Sequence, residues 1–144
     1  MKVLDTNVLS EAVKPWPSVK VLHWPALQEQ QKVFTIVITK AEMLHGLELL
    51  PTGKRRTALY SAVNQMFARE FAGRVLAFDE GAAQIYAKII AQRYRLGRPI
   101  SQFDAAIAAI TLSHGAVLAT RNVSDFSDCG ITIVDPWSHE AADQ

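Results

Sequence analysis

Four acidic side chains could act together, because each lies just after a predicted strand or in the first turn of a helix at the same sheet edge: Asp5, Glu42, Asp104 and Asp125. The carboxyl ends of parallel strands open on one edge, so these side chains can converge there. Two carboxylates about 4 Å apart repel by about 4 kcal/mol at an effective dielectric of roughly 20, so such a cluster needs protons or a cation. An all-oxygen site suits Mg²⁺ or Mn²⁺, and such ions activate water for phosphodiester hydrolysis.

Each acid also has a purely local explanation. These explanations are a helix-start cap for Asp5, a capping box with Thr39 for Glu42, a similar pairing with Ser101 for Asp104, and an Asx-type turn for Asp125. Taken one at a time, the local motifs account for the residues as well as a site does. What favours a site is the position of all four at one edge of the predicted sheet.

Apolar strands alternate with amphipathic helices along the chain. The predicted strands are Lys2–Leu4, Val33–Ile38, Val75–Phe78, Ala116–Thr120 and Ile131–Val134. The predicted helices begin at Thr6 or Asn7, Ser18, Thr39, Lys54, Asp79 and Ser101, and Pro25 is expected to end or kink the second. This order predicts a three-layer α/β/α domain with a mostly parallel sheet of four to five strands. We expect one domain over residues 1–137 and a frayed tail over residues 138–144.

Composition narrows the classes of function. The 144 residues are 49% hydrophobic and 20% charged, which is typical of one globular domain, and the net charge of +1 gives no broad cationic surface. The lone Cys129 cannot form an internal disulfide, and the four histidines lack the close spacing of zinc sites. The sequence has no basic leader and no uncharged apolar run of the roughly 20 residues that span a bilayer, so we expect a cytoplasmic protein.

Five segments of the sequence carry a resemblance to a known family. They are LDTNVLSE at 4–11, ITKAEMLHGL at 38–47, FDAAIAA at 103–109, LATRNVSDF at 118–126 and DPW at 135–137. Together they resemble the PIN-domain ribonucleases of the VapC type, the toxins of bacterial type II toxin–antitoxin pairs, and most of all the FitB-like members. The segments span nearly the whole chain in the order that the family has.

The resemblance implies a set of site residues. Asp5, Glu42 and Asp104 would form the acidic core that holds Mg²⁺ or Mn²⁺. Some relatives place a fourth acid where this chain has Asn122, and others use the position of Asp125, which we favour here. Supporting roles fall to Thr6 and Asn7, which would orient Asp5, and to Thr120 and Asn122, which would hydrogen-bond the cluster or its waters. The implied reaction is attack of a metal-activated water on single-stranded or loop RNA, with no covalent enzyme intermediate.

The resemblance also implies partners. These are an RNA substrate, a small antitoxin whose carboxyl-terminal segment covers the acidic site, and a second copy of the toxin, with DNA reached only through the antitoxin. Candidates for an apolar antitoxin groove are Trp16, Trp24, Met43 and Leu47, although core packing also explains the last two. Basic candidates for RNA contact are Arg121 and Arg98, followed by Lys54, Arg55, Arg56, Arg93 and Arg95, whose helix-end positions offer a structural alternative.

Three other interpretations were compared with the nuclease. A phosphoacceptor receiver domain would place paired acids after its first strand, where this chain has Asp5 followed by Thr6 and Asn7. A phosphatase with an aspartyl nucleophile would have an acid at the position of Asn7. A PIN fold without catalysis, which acts only as a binding module in an antitoxin complex, remains the main alternative at this point.

Overall fold

The computed structural model describes residues 1–138. Five parallel strands form one sheet in the order β3-β2-β1-β4-β5. The strands are β1 (Lys2–Leu4), β2 (Val33–Ile36), β3 (Val75–Leu76), β4 (Val117–Ala119) and β5 (Thr132–Val134). The central strand β1 is paired on both sides, with Val3 opposite Phe34 of β2 and Leu118 of β4. The predicted parallel α/β sheet is confirmed.

Six α-helices cover the two faces of the sheet. They are α1 (Thr6–Ala12), α2 (Val19–Leu27), α3 (Val37–Glu48), α4 (Lys54–Gln65), α5 (Glu80–Arg95) and α6 (Gln102–Ser113). One apolar core joins the sheet to α5 and α6 through residues such as Ile89, Ile107 and Ile110. The other joins it to the first four helices through residues such as Val8 and Val63. The three predicted layers are therefore present.

Several boundaries differ from those that the sequence predicts, and β3, predicted to reach Phe78, ends at Leu76. The strand expected over residues 33–38 ends at Ile36, and α3 begins at Val37, so Thr39 lies inside the helix and does not cap it. Ile38 packs against the core formed with α5 and α6, so tertiary packing outweighs the strand preference of a β-branched residue. Pro25 lies within the last turn of α2, two residues before its end, so its missing N–H removes little of the helix.

Short irregular helices complete the chain. A π-helical turn at Met66–Glu70 extends α4, and 3₁₀ turns occupy Gln30–Lys32 and Val123–Phe126. Within residues 1–138, none of the helices combines the length and the apolar character needed to cross a membrane. Apart from Ser138, the tail expected to fray lies outside the described residues.

Candidate active site

Asp5 begins α1 at the carboxyl end of β1. Its side chain accepts a hydrogen bond from the Thr6 backbone N–H at 2.8 Å, so Asp5 is the cap, and the expectation that Thr6 or Asn7 would cap the helix is wrong. The Asp5 backbone N–H donates to the Ala119 carbonyl at 3.0 Å and so extends the pairing with β4. Asp5 is only 4% exposed, although its side chain is ionisable. A cap on a surface helix does not need such burial.

A polar network fixes the second oxygen of the Asp5 carboxylate. The Thr120 hydroxyl donates to Asp5 Oδ2 at 2.8 Å, and the Asn7 amide donates to the same oxygen at 3.4 Å and to Thr120 Oγ1 at 3.1 Å. Asn7 Oδ1 in turn accepts from the Arg121 backbone N–H at 3.1 Å. The Asn122 backbone N–H donates to Thr120 Oγ1 at 3.1 Å. The segment after β4 is therefore tied to the start of α1, with the Asp5 carboxylate between them.

Glu42 reaches the same edge from the second turn of α3. The Thr6 hydroxyl donates to Glu42 Oε1 at 2.7 Å, which joins α3 to the first residue of α1. The capping box expected between Thr39 and Glu42 is absent because α3 begins at Val37. Thr39 is instead fully buried, with its hydroxyl oxygen 3.4 Å from that of Thr6. The local explanation of Glu42 is thus removed, and its contact with Thr6 links it to Asp5.

Asp104 lies in the first turn of α6, where the sequence predicts it. The Ser101 hydroxyl accepts from the Asp104 backbone N–H at 3.1 Å and caps the helix. Burial raises the pKa of the half-buried Asp104 carboxyl, and the negative charge of Asp125 raises it further, while Ser101 and Arg93 act in the opposite direction. Cap formation uses the backbone of Asp104, so it leaves the carboxylate available.

Asp125 lies in the 3₁₀ turn after β4 and is exposed. Its backbone N–H donates to the Asn122 carbonyl at 3.1 Å, so the turn is closed by main-chain atoms. The effect of Asp125 on the pKa of Asp104 puts the two carboxylates in the same electrostatic neighbourhood. The choice of Asp125 over Asn122 as the fourth position stays a prediction.

Negative charge is concentrated at this edge. Burial raises the pKa of Asp5 from 3.8 to about 6, against the lowering effect of its hydrogen bonds to Thr120 and Thr6, and the charges of Glu42 and Asp104 raise it as well. The pKa of Asp5 thus responds to the charges of Glu42 and Asp104, and that of Asp104 to the charge of Asp125, and we call these four residues the row of acids. Within residues 1–138, no three acidic, histidine or cysteine side chains are gathered around one point as they would be around an ion.

A divalent cation fits this arrangement on chemical grounds. The row supplies only carboxylate oxygens, which Mg²⁺ and Mn²⁺ prefer. Neighbouring carboxylates repel one another, and a bound cation would offset that repulsion. The residues that could hold the ion are Asp5, Glu42, Asp104 and Asp125.

The basic candidates for RNA contact have different environments. Arg121 is exposed, and its guanidinium lies 5.1 Å from the ring centre of Trp137. Arg98 is exposed and pairs with Asp128 and the Ser127 hydroxyl. Arg93 lies in the last turn of α5, as its interpretation as a helix end predicts, but it is only 5% exposed, so its side chain is not presented on the surface for RNA contact. Sequence reasoning missed its structural role because a cation in the last turn of a helix is usually explained by the helix dipole.

A small groove runs beside Glu42 between α1, α3 and α4. It has a volume of about 230 Å³ and is lined by Thr6, Ser10, Val13, Glu42, Met43, Gly46, Leu47, Leu59 and Val63. Met43 and Leu47 therefore contribute both to the core and to the wall of this groove. Trp24 is buried in the core, whereas Trp16 is 91% exposed in the loop before α2.

Comparison with known proteins agrees with this architecture. The PIN domain family matches residues 2–130. The chain is 41% identical to VapC ribonuclease Y4jK of Sinorhizobium fredii, over 95% of this chain and 98% of that protein. It is 36% identical to Toxin FitB of Neisseria gonorrhoeae, over 95% of this chain and 99% of the relative. The solved structure of FitAB bound to an IR36 DNA fragment superposes with a TM-score of 0.90 at 37% identity, covering 97% of this chain and 98% of that one.

The PIN domain match over residues 2–130 covers four of the five segments that carry the resemblance, and all four acids lie inside it. The sequence identity over nearly the whole chain and the similarity of the fold indicate the same family. The protein therefore belongs to the PIN-domain family, among the VapC ribonuclease toxins of the FitB-like kind.

Proposed function

We propose that this protein is a metal-dependent endoribonuclease toxin that hydrolyses phosphodiester bonds of single-stranded or loop RNA. The observation that carries the proposal is the row of four acids at one edge of the sheet, in which burial and, to a smaller extent, neighbouring charges raise the pKa of Asp5 to about 6. The Asp5 carboxylate caps α1, but the cap alone does not require its burial among other carboxylates, which is destabilising.

The four acids would share the binding of one or two Mg²⁺ or Mn²⁺ ions. When bound, such an ion activates a water molecule and stabilises negative charge on the phosphate. Hydrogen bonds from Thr6, Asn7 and Thr120 hold the Asp5 carboxylate in one orientation. Its side chain would therefore lose little conformational freedom on binding an ion. Thr6 would do the same for Glu42 through its hydroxyl.

The RNA backbone needs cations at this edge. Arg121 follows Thr120 directly and is the best placed of the exposed basic residues, because its backbone belongs to the network around Asp5. Its guanidinium beside Trp137 forms a flat cationic surface that suits a phosphate or a nucleotide base. Arg98 is a second candidate, but RNA would have to compete with its ion pair to Asp128.

We also propose an antitoxin partner and a homodimer. The relative Toxin FitB and the FitAB structure with DNA support a partner of this kind. On this chain the antitoxin would cover the groove beside Glu42 and make the contacts with DNA. An apolar surface formed by Ile38, Phe78 and Phe103 supports the homodimer, since the two phenylalanine side chains are 40% and 54% exposed.

Two variants test the catalytic proposal against a binding module. Glu42→Gln and Asp104→Asn keep side-chain shape but remove a carboxylate each. We expect both to lose RNA cleavage by at least about a hundredfold while they still bind the antitoxin, because glutamine keeps the size of the Glu42 side chain in the groove wall and Asp104 is not part of that wall. Asp79→Asn, which alters an exposed cap of α5, is the matched control and should cleave like the wild type. Equal cleavage by wild type and both site variants would reject the assignment of the site.

A further inference from the structure

Arg93 is a buried cation in the last turn of α5, and its placement calls for an explanation. It is 5% exposed, and none of the ion pairs within residues 1–138 involves it. Burial of an arginine without a carboxylate is costly unless hydrogen bonds satisfy its N–H groups. The groups that accept hydrogen bonds from the Arg93 N–H groups therefore show which segments of the chain its guanidinium connects.

The guanidinium of Arg93 connects two separate segments of the chain. Its Nε donates to the carbonyl of Arg98 at 2.7 Å. Its Nη1 donates to the carbonyls of Asp125 at 3.0 Å and Ser127 at 2.9 Å, and lies 3.6 Å from the sulfur of Cys129. The first acceptor belongs to the connection that leads into α6, and the others belong to the turn after β4. No other hydrogen bond from a side chain to the Asp125 main chain is present within residues 1–138.

One of these segments leads to a candidate acid, and the other contains one. The connection held at Arg98 leads in three residues to Ser101, whose hydroxyl caps α6 and fixes the backbone of Asp104. The turn held at Asp125 presents the exposed Asp125 carboxylate beside Asp104. Arg93 thus binds the backbone of Asp125 directly and the segment before the Asp104 helix through the Arg98 carbonyl, and it uses neither carboxylate. Its charge also lowers the pKa of Asp104, which agrees with a position close to that acid.

We propose that Arg93 is a positioning residue that fixes the main chain of Asp125 relative to Asp104, so that both carboxylates can serve the same metal. This inference rests on the proposed function in one respect, which is that Asp104 and Asp125 bind a metal ion. Arginine suits this task because its planar fork directs Nε and Nη1 to acceptors on two different segments, whereas a lysine ammonium is a single compact point.

Stability alone cannot test this role. Replacement of a buried charged side chain by an apolar one of similar volume is neutral or stabilising in some proteins and destabilising in others. We therefore choose three variants: Arg93→Met removes the donors, Arg93→Lys keeps the charge, and Arg95→Met makes the same change two residues away at an exposed position of α5.

The first measurement is amide hydrogen exchange of the intact, metal-free protein. We expect Arg93→Met to increase exchange in residues 124–129 by tenfold or more, because the carbonyl contacts that hold this turn are lost, and Arg95→Met to leave it unchanged. Unchanged exchange in Arg93→Met would overturn the proposal. This measurement needs neither RNA nor metal, so its outcome is independent of whether the protein is a nuclease.

The second measurement is a double-mutant cycle on Mn²⁺ binding, with Asp125→Asn as the other change. If Arg93 acts through Asp125, Arg93→Met should weaken Mn²⁺ binding by about ten- to a hundredfold alone and by little in the Asp125→Asn protein. Arg93→Lys should weaken Mn²⁺ binding as much as Arg93→Met does, because the proposed role depends on the planar guanidinium and its separate N–H donors, which lysine lacks, and not on the positive charge. The coupling would be overturned if the two losses of Mn²⁺ affinity multiplied in the double variant, or if Arg93→Lys bound Mn²⁺ like the wild type. It would also be overturned if the wild type did not bind Mn²⁺.

RNA cleavage by the same proteins separates the two proposals. Wild-type protein that binds Mn²⁺ with the expected cycle but cuts no RNA would contradict the nuclease and leave the role of Arg93 intact. Wild-type cleavage that Arg93→Met and Arg93→Lys retain in full, at unchanged Mn²⁺ dependence, would contradict the role of Arg93 and leave the nuclease intact.

Discussion

The Asp5 carboxylate accepts hydrogen bonds from the first amide of α1 and from the Thr120 hydroxyl, and still its pKa is raised to about 6. Hydrogen bonds of this kind normally lower the pKa of a carboxyl, so burial outweighs them here, and the charges of Glu42 and Asp104 act in the same direction. Asp5 is therefore both a helix cap and a carboxyl group whose ionised form is destabilised by burial. Capping preference predicts the first role, but the second depends on residues that are distant in sequence.

Replacement of Asp5 by asparagine should stabilise the metal-free protein near pH 7.5. A carboxyl whose pKa is raised on folding adds stability below its unfolded pKa of 3.8 and loses it as the pH rises through about 6. The raised pKa corresponds to at most about 3 kcal/mol of unfolding free energy, and asparagine still caps the helix. Urea unfolding in a chelator should therefore show a gain at pH 7.5 that disappears near pH 4.

The control for this prediction is Asp79→Asn, which changes the cap of α5 away from the acidic edge. We expect it to alter the unfolding free energy by only a few tenths of a kcal/mol at either pH. An Asp5→Asn protein that is less stable than the wild type at pH 7.5, or whose gain is equal at both pH values, would contradict the electrostatic account of Asp5.

At the scale of elements, sequence patterns predict the caps of α5 and α6 but not the start of α3. Asp79 and Ser101 are followed by helical periodicity, and their side chains accept from Ala82 and Asp104 backbone N–H groups. The run Val33–Ile38 is β-branched or aromatic throughout, so nothing local indicates that the strand ends at Ile36. The packing of Ile38 against the core decides that boundary, and packing is not visible in a local pattern.

The shifted start of α3 gives a prediction about two residues that the sequence assigns to similar helix-start motifs, Ser101 with Asp104 and Glu42 with Thr39. Ser101→Ala removes a cap and should cost about 1 kcal/mol, which lowers the melting temperature by a few degrees. Glu42→Gln removes no cap, and Gln can still accept from the Thr6 hydroxyl, so the melting temperature of the metal-free protein should stay the same or rise. Thermal unfolding in a chelator checks both variants; equal losses would restore the capping-box interpretation.

At the scale of the whole molecule, the order of strands brings the site together. The alternation of strands and helices predicts a parallel sheet, and a parallel sheet has one carboxyl edge. It does not predict that β1 lies between β2 and β4, which is what brings Asp5 beside both Glu42 and Thr120. Nor could it predict Arg93, whose acceptors are main-chain carbonyls on segments up to 34 residues away and leave no trace in side-chain spacing.

Metal should stabilise the whole domain if the acidic row is a metal site. A ligand that binds only the folded protein adds about 2.7 kcal/mol at roughly a hundred times its dissociation constant. Millimolar Mg²⁺ or Mn²⁺ should therefore raise the melting temperature of the wild type by several degrees and that of Asp104→Asn by less. A wild-type melting temperature that no divalent metal changes would show that the acids do not converge on an ion.

The most direct test is incubation of purified, antitoxin-free protein with total cellular RNA, with and without Mn²⁺, beside Asp5→Asn, followed by mapping of every new RNA end. We predict discrete ends that need the metal and that disappear in Asp5→Asn, whose fold is retained because asparagine keeps the cap of α1. Ends that form equally without metal, or that persist in Asp5→Asn, would contradict hydrolysis at the acidic edge of the sheet.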